Sequence, residues 1–137
     1  MAVNEYFVDT SAFIALIYED DQYHDEAVLI YEELDRKGMQ RVTTDYVLTE
    51  VYAFLINRVG RFAADLFDEV LQEEENLELV FQGEEGFYKA QELFRKYSDK
   101  EYSLVDCASF VTMMEREITQ VFAFDEHFLH FGFQMFG

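Results

Sequence analysis

Short apolar runs alternate along the chain with longer stretches in which apolar residues recur every three or four positions. The first pattern fits buried strands and the second fits helices with one buried face. Strands are predicted over 5–8 (EYFV), 41–44 (RVTT), 77–81 (LELVF) and 120–124 (QVFAF), and FQMF closes the chain. Helices are predicted over 11–18, 22–37, 45–58, 61–74, 84–97 and 103–117, with a short turn or helix at 126–130. In the second helix Ala27, Ile30, Tyr31 and Leu34 keep helical spacing, and Gly38 is a natural stop. Gly60 separates the third helix from the fourth. Strands separated by helical runs predict an α/β fold, a mostly parallel central sheet covered on both faces. The length of 137 residues fits one domain, 1–137. Such sheets bind ligands at the carboxyl ends of their strands. Asp9 and Asp125 stand where two predicted strands end.

Four acids interrupt apolar runs: Asp9 in YFVDTSAFIAL, Glu50 in TTDYVLTEVYAFLI, Asp106 in YSLVDCASFVTMM and Asp125 in VFAFDEHF. A carboxylate among buried side chains costs several kcal/mol unless something pairs with it. Each has a plainer explanation. Asp9 can cap the helix that follows it, and so can Asp125 and Asp45. Ser103 and Asp106 match a capping box, yet Asp106 projects alongside Phe110 and Met114 on the apolar stripe. Glu50 has no capping position and no Lys or Arg three or four residues away, so it is harmless only if its face meets water. Taken together, four acids in apolar surroundings call for one shared partner, and a hard divalent cation is the simplest.

Composition narrows the setting. The net charge of −19 argues against a protein that coats nucleic acid through a basic face, but not against a nuclease that grips phosphate through metal. No apolar run is long enough to span a bilayer. The start, MAVNEYFVDT, lacks the pattern of a signal peptide, and Cys107 alone cannot form an internal disulfide. Cytoplasmic residence is the expectation. Fifteen Phe and nine Tyr leave room for an exposed apolar patch suited to homodimerisation.

The ordered set FVDTSAFIAL, VLTEVYAFL, YSLVDCASF and FAFDEHFLHFGF resembles the PIN-domain nucleases, in particular the VapC-like toxins of bacterial toxin–antitoxin pairs. Asp9 with Ser11, Glu50, Ser103 with Asp106, and Asp125 with Phe128 match the family pattern in order, and Asp21, His24 and Ala27 extend the likeness. The resemblance implies a three-layer α/β/α sandwich and Mg²⁺ or Mn²⁺ held by Asp9, Glu50, Asp106 and Asp125. It also implies RNA cleavage and a small antitoxin partner. Ser11 would orient Asp9 from behind, and Ser103 would do the same for Asp106. Oxygen-rich ligation selects Mg²⁺ or Mn²⁺ over zinc, and such ions activate water for attack on a phosphodiester. Arg58 and Arg61 beyond Glu50, and Lys96 and Lys100 before the Asp106 helix, are candidates for holding the RNA backbone. His24 reads as a surface residue, and His127 and His130 as packing beside Phe128 and Phe131 ahead of a metal-adjacent role. The acidic balance departs from the basic surfaces of such toxins. A PIN fold serving only as a binding module is the competing reading. A receiver-like signalling domain fits poorly, because no Lys follows the late strand.

Overall fold

The computed structural model of the protein describes residues 4–136; of the expected domain, residues 1–3 and 137 lie outside it. The strands are β1 (Glu5–Val8), β2 (Gln40–Thr44), β3 (Leu77–Val80), β4 (Gln120–Phe122) and β5 (Gln134–Phe136). The helices are α1 (Thr10–Ile17), α2 (His24–Arg36), α3 (Asp45–Phe54), α4 (Arg61–Glu73), α5 (Gly83–Lys96), α6 (Leu104–Glu115) and α7 (His127–Phe131). The strands form one sheet in the order β3-β2-β1-β4-β5, and every neighbouring pair is parallel. The α/β/α layering follows from side-chain alternation in the strands. Tyr6, Val8 and Phe122 turn to one face, where Ala12, Ala15, Ala27 and Leu34 of α1 and α2 cover them. Phe7, Val42 and Val121 turn to the other, against Val47 and Val51 of α3, Phe110 of α6 and Phe128 of α7. The second face is rich in rings: Phe110 stacks on Phe131 with centroids 4.3 Å apart and meets Phe128 and Tyr102 edge-on.

The departures from the predicted boundaries have local causes. The helix expected over 45–58 stays α-helical only to Phe54 and then widens into a π-helical turn, Leu55–Val59. The Gly60 N–H closes that turn on the Leu55 carbonyl at 2.7 Å, and Gly60 takes a φ of 135°, a region in which side chains are strained. β4 ends two residues early because the Phe124 N–H turns to the Ser11 hydroxyl (2.9 Å). The cap of α3 is Thr44, whose hydroxyl accepts from the Val47 N–H at 3.1 Å. Asp45, expected to cap, instead accepts from the Gln82 N–H (3.0 Å) and ties the start of α3 to the junction between β3 and α5. His24 is not a free surface residue: it is half-buried, and its Nδ1 lies 2.7 Å from the Ala15 carbonyl, pinning α2 to α1.

At the far side of β2 sits a buried cation. Arg41 is only 4% exposed, yet it donates to the Tyr6 hydroxyl (3.0 Å), Asp35 (2.8 Å) and Glu74. Its guanidinium also lies over the Tyr31 ring. A buried charge is tolerable when its donors are met in this way. Beside it, Leu16, Phe67 and Leu71 line an apolar cavity of about 270 Å³.

Candidate active site

Parallel strands bring their carboxyl ends to one edge, and the predicted acids gather there. Asp9 follows β1 directly and caps α1. Its Oδ2 accepts from the Ser11 N–H (3.2 Å) and the Ser11 hydroxyl (2.8 Å). The Asp9 N–H in turn donates to the Phe122 carbonyl (3.1 Å), which locks the end of β1 against β4. Only 4% of Asp9 is exposed. Burial pushes its carboxyl up to about 7; the Ser11 hydrogen bonds pull it back, and the nearby Asp106 charge adds to the rise. The expected cap is therefore real, but capping leaves an ionised Asp9 poorly compensated.

Asp106 closes the expected capping box with Ser103. The Ser103 N–H donates to Asp106 Oδ2 and the Asp106 N–H donates to the Ser103 hydroxyl, each at 3.0 Å. The box fixes the carboxylate in place while α6 carries it inward. The same Oδ2 meets His127 Nδ1 at 2.9 Å. Asp125 is half-buried just past β4, and its Oδ1 accepts from the His127 N–H at 3.0 Å. His127 Nδ1 lies 3.4 Å from that oxygen, so one imidazole nitrogen stands between the two carboxylates. Burial lowers the His127 pKa, but the Asp106 hydrogen bond and the charges of Asp125 and Asp106 outweigh it, and the net shift is upward. Asp106, Asp125 and His127 each offer a ligand atom within 4.8 Å of the others.

The structure thus joins Asp106 and Asp125 through His127, and sets Asp9 near enough to Asp106 to feel its charge. Glu50 is exposed, and its carboxylate enters none of the side-chain hydrogen bonds or ion pairs among the described residues. Phe54, one turn further along α3, lines an open hollow of about 620 Å³ together with Ser11, Asp125 and His127. Glu50 therefore stands on a helix that borders the hollow, with its carboxylate in water. Arg58 is exposed and unpaired among the described residues, as are Lys96 and Lys100, whereas Arg61 is committed to Asp65 at 2.8 Å. His127 is more than the packing residue expected from its Phe neighbours. It packs, edge-on to Tyr102 (5.4 Å), and also faces both acids. The Asp-x-His spacing carried that signal, because an Asp that accepts from the N–H two residues on turns that residue back toward itself. His130 is exposed at the rim.

The donor set fits a divalent cation. Two carboxylates about 4 Å apart repel by about 4 kcal/mol at an effective dielectric of 20. Among the described residues one shared imidazole supplies the counter-charge, beside an Asp9 carboxyl already forced upward by burial.

A buried acidic edge on a five-stranded parallel sheet is the layout of a nuclease-type α/β domain, and the comparisons specify which. The PIN domain model matches residues 6–134, and the chain belongs to the PIN-domain family. It is similar to the 23S rRNA-specific endonuclease VapC20 of Mycobacterium tuberculosis strain CDC 1551, at 32% identity over 128 residues. The match spans 93% of this chain and 94% of that protein. The protein of the same description from strain H37Rv matches equally well. A crystal structure of Mycobacterium tuberculosis VapC20, described as a sarcin-ricin loop cleaving toxin, shares the fold with a TM-score of 0.85. That likeness has 27% sequence identity and covers 93% of this chain and 95% of that one.

Proposed function

We propose that this chain is a toxin-class endoribonuclease that hydrolyses RNA phosphodiester bonds with Mg²⁺ or Mn²⁺. The Asp106–Asp125–His127 cluster, with buried Asp9 close enough to feel the Asp106 charge, carries the reading. Asp9, Asp106 and Asp125 would hold the ion, and Glu50 would join them from α3. Bound there, the ion would supply charge stabilisation for the phosphate and lower the pKa of the attacking water.

The chain's own groups prepare that site. Ser11 holds one oxygen of Asp9, so the carboxylate cannot swing away. The capping box does the same for Asp106 through Ser103. His127 keeps Asp106 and Asp125 at a spacing that bare repulsion would widen. Hydrolysis adds water across one P–O bond, so fixed carboxylates and access for solvent are what the residues must provide. The open hollow beside Asp125 gives that access.

Partners belong to the same reading. The relatives described as 23S rRNA endonucleases support ribosomal RNA as the substrate class. A small antitoxin and a homodimer would each need an apolar surface. Phe62, Leu66 and Val70, all exposed and four residues apart along α4, support one. An RNA substrate fits cytoplasmic residence, and no helix among the described residues is long and apolar enough to cross a membrane.

Incubation of purified protein with RNA in Mn²⁺, in Mg²⁺ and in EDTA tests the proposal against Asp9→Asn and Asp106→Asn controls. Metal-dependent cleavage by the wild type alone is expected. Equal cleavage by all three proteins would indicate a contaminant. Tight RNA binding without cleavage in any metal would favour the binding-module reading.

A further inference from the structure

The acids explain one part of the hollow but not the wall beside them. Tyr23 and Phe124 line the same 620 Å³ space as Ser11, Asp125 and His127. Their rings are stacked face to face, with centroids 4.5 Å apart and planes within 4°. Tyr23 lies in the turn before α2, where its N–H donates to Asp21 Oδ1 at 2.9 Å, and it stays 38% exposed. Phe124 is fixed from the other side. Its N–H donates to the Ser11 hydroxyl, which itself donates to Asp9. One hydroxyl therefore ties the position of the aromatic pair to a carboxylate of the candidate centre.

We propose that the Tyr23–Phe124 stack is a nucleobase platform, on which the base next to the scissile phosphate lies against the Tyr23 ring. The inference rests on the acidic edge being the nuclease centre, and it adds a substrate-positioning residue to that reading. A base suits this wall better than another ligand does. It is flat and uncharged, so its ring can lie in an acidic hollow that would repel an anion, while the ribose next to it carries the phosphate toward the acids. The chain also has few cations for gripping a backbone. Of its ten Lys and Arg, six are engaged in ion pairs among the described residues, leaving Arg58, Arg95, Lys96 and Lys100. Base–aromatic stacking tolerates any sequence and is worth about tenfold or more in affinity per base, which makes it an effective grip for a protein of this charge.

The test uses the full chain in Mn²⁺ with single-stranded RNA carrying 2-aminopurine. Wild type, Tyr23→Phe and Tyr23→Leu are compared by stopped-flow fluorescence on mixing and by KM and kcat. Tyr23→Leu is expected to lose the rapid quench and raise KM about tenfold with kcat little changed, and Tyr23→Phe to keep both. An unchanged quench and KM in Tyr23→Leu would overturn the platform. So would Tyr23→Phe failing as badly as Tyr23→Leu, because the hydroxyl rather than the ring would then matter. Should Tyr23→Leu fold poorly, photocrosslinking of 5-iodouridine RNA to the wild-type chain decides the point: crosslinks at Tyr23 or Phe124 support the platform, and crosslinks only elsewhere overturn it. Normal metal-dependent cleavage with no effect of Tyr23 sinks the platform and spares the nuclease reading. Absence of cleavage and of Mn²⁺ binding in the wild type sinks both.

Discussion

Asp9→Asn should make the metal-free protein more stable above neutral pH, although it removes a charged cap. The Asp9 carboxyl rises from 3.8 to about 7 on folding because burial disfavours its charge. A group raised in this way favours folding most below its unfolded value, and that contribution is lost as pH climbs through its folded value. At pH 8 the native state then carries an ionised Asp9 at a cost on the order of 4 kcal/mol relative to pH 4. Asn keeps an oxygen to accept from Ser11 and removes the charge. Thermal or urea unfolding in EDTA, followed from pH 4 to pH 9, should show the variant close to wild type at the acid end. Its advantage should open between about pH 4 and pH 7 and level off above, reaching roughly fifteen degrees in melting temperature for a chain of this length. Saturating Mn²⁺ should narrow that gap, since only the wild type gains binding energy, about 2.7 kcal/mol at one hundred times the dissociation constant, and should close it near one thousand times, where the gain is about 4.1 kcal/mol. A variant less stable than wild type in EDTA across the whole range would falsify the account of Asp9 as a carboxylate awaiting a counter-ion.

Three further outcomes follow from the geometry. His127→Gln should lower metal-free stability at pH 5.5 and leave it nearly unchanged at pH 9. The raised imidazole pKa stabilises the fold below the usual histidine value and stops doing so as pH rises through the folded one. Paired melts at the two pH values check this, and an equal loss at both would point to packing against Tyr102 instead. Arg41→Ala should cost about 3–5 kcal/mol in urea unfolding, because it strips the partner from half-buried Glu74 and the buried Tyr6 hydroxyl; a loss under 1 kcal/mol would contradict the description of a buried guanidinium with its donors met. Arg58→Glu should weaken RNA binding several-fold and reduce its dependence on salt, while Arg61→Glu does less, since Arg61 is already held by Asp65. Filter binding across a salt series distinguishes them, and equal effects would show that the Asp65 pair does not restrain Arg61.

The alternation of short strand-like runs with helical ones made the sheet and its flanking helices legible, because the central strands at 5–8 and 120–122 are buried and read as compact apolar stretches. Asp9 and Asp106 were legible twice over, as caps and as acids in apolar company, and the structure shows both descriptions holding at once. The exposure of Glu50 was not legible. A lone Glu amid apolar residues looks the same whether its side of α3 is covered or open, and only packing decides. The π-helical turn was hidden because one extra residue in a turn scarcely disturbs helical spacing over a short segment. Thr44 displaced Asp45 as the cap because Asp45 found a distant donor in Gln82, which no local pattern announces. His127 was read from its Phe neighbours, yet its second contact comes from α6, far away in sequence.

The Ser11 hydroxyl receives the Phe124 N–H and passes its own proton toward Asp9. A single oxygen thus rivets two corners of the sheet together. Exchanging Ser11 for Ala would loosen both corners in one stroke, and a survey of damaging replacements would then rank Ser11 beside the acids it never joins in chemistry. Sensitivity to replacement at this position measures how stiff the frame must be.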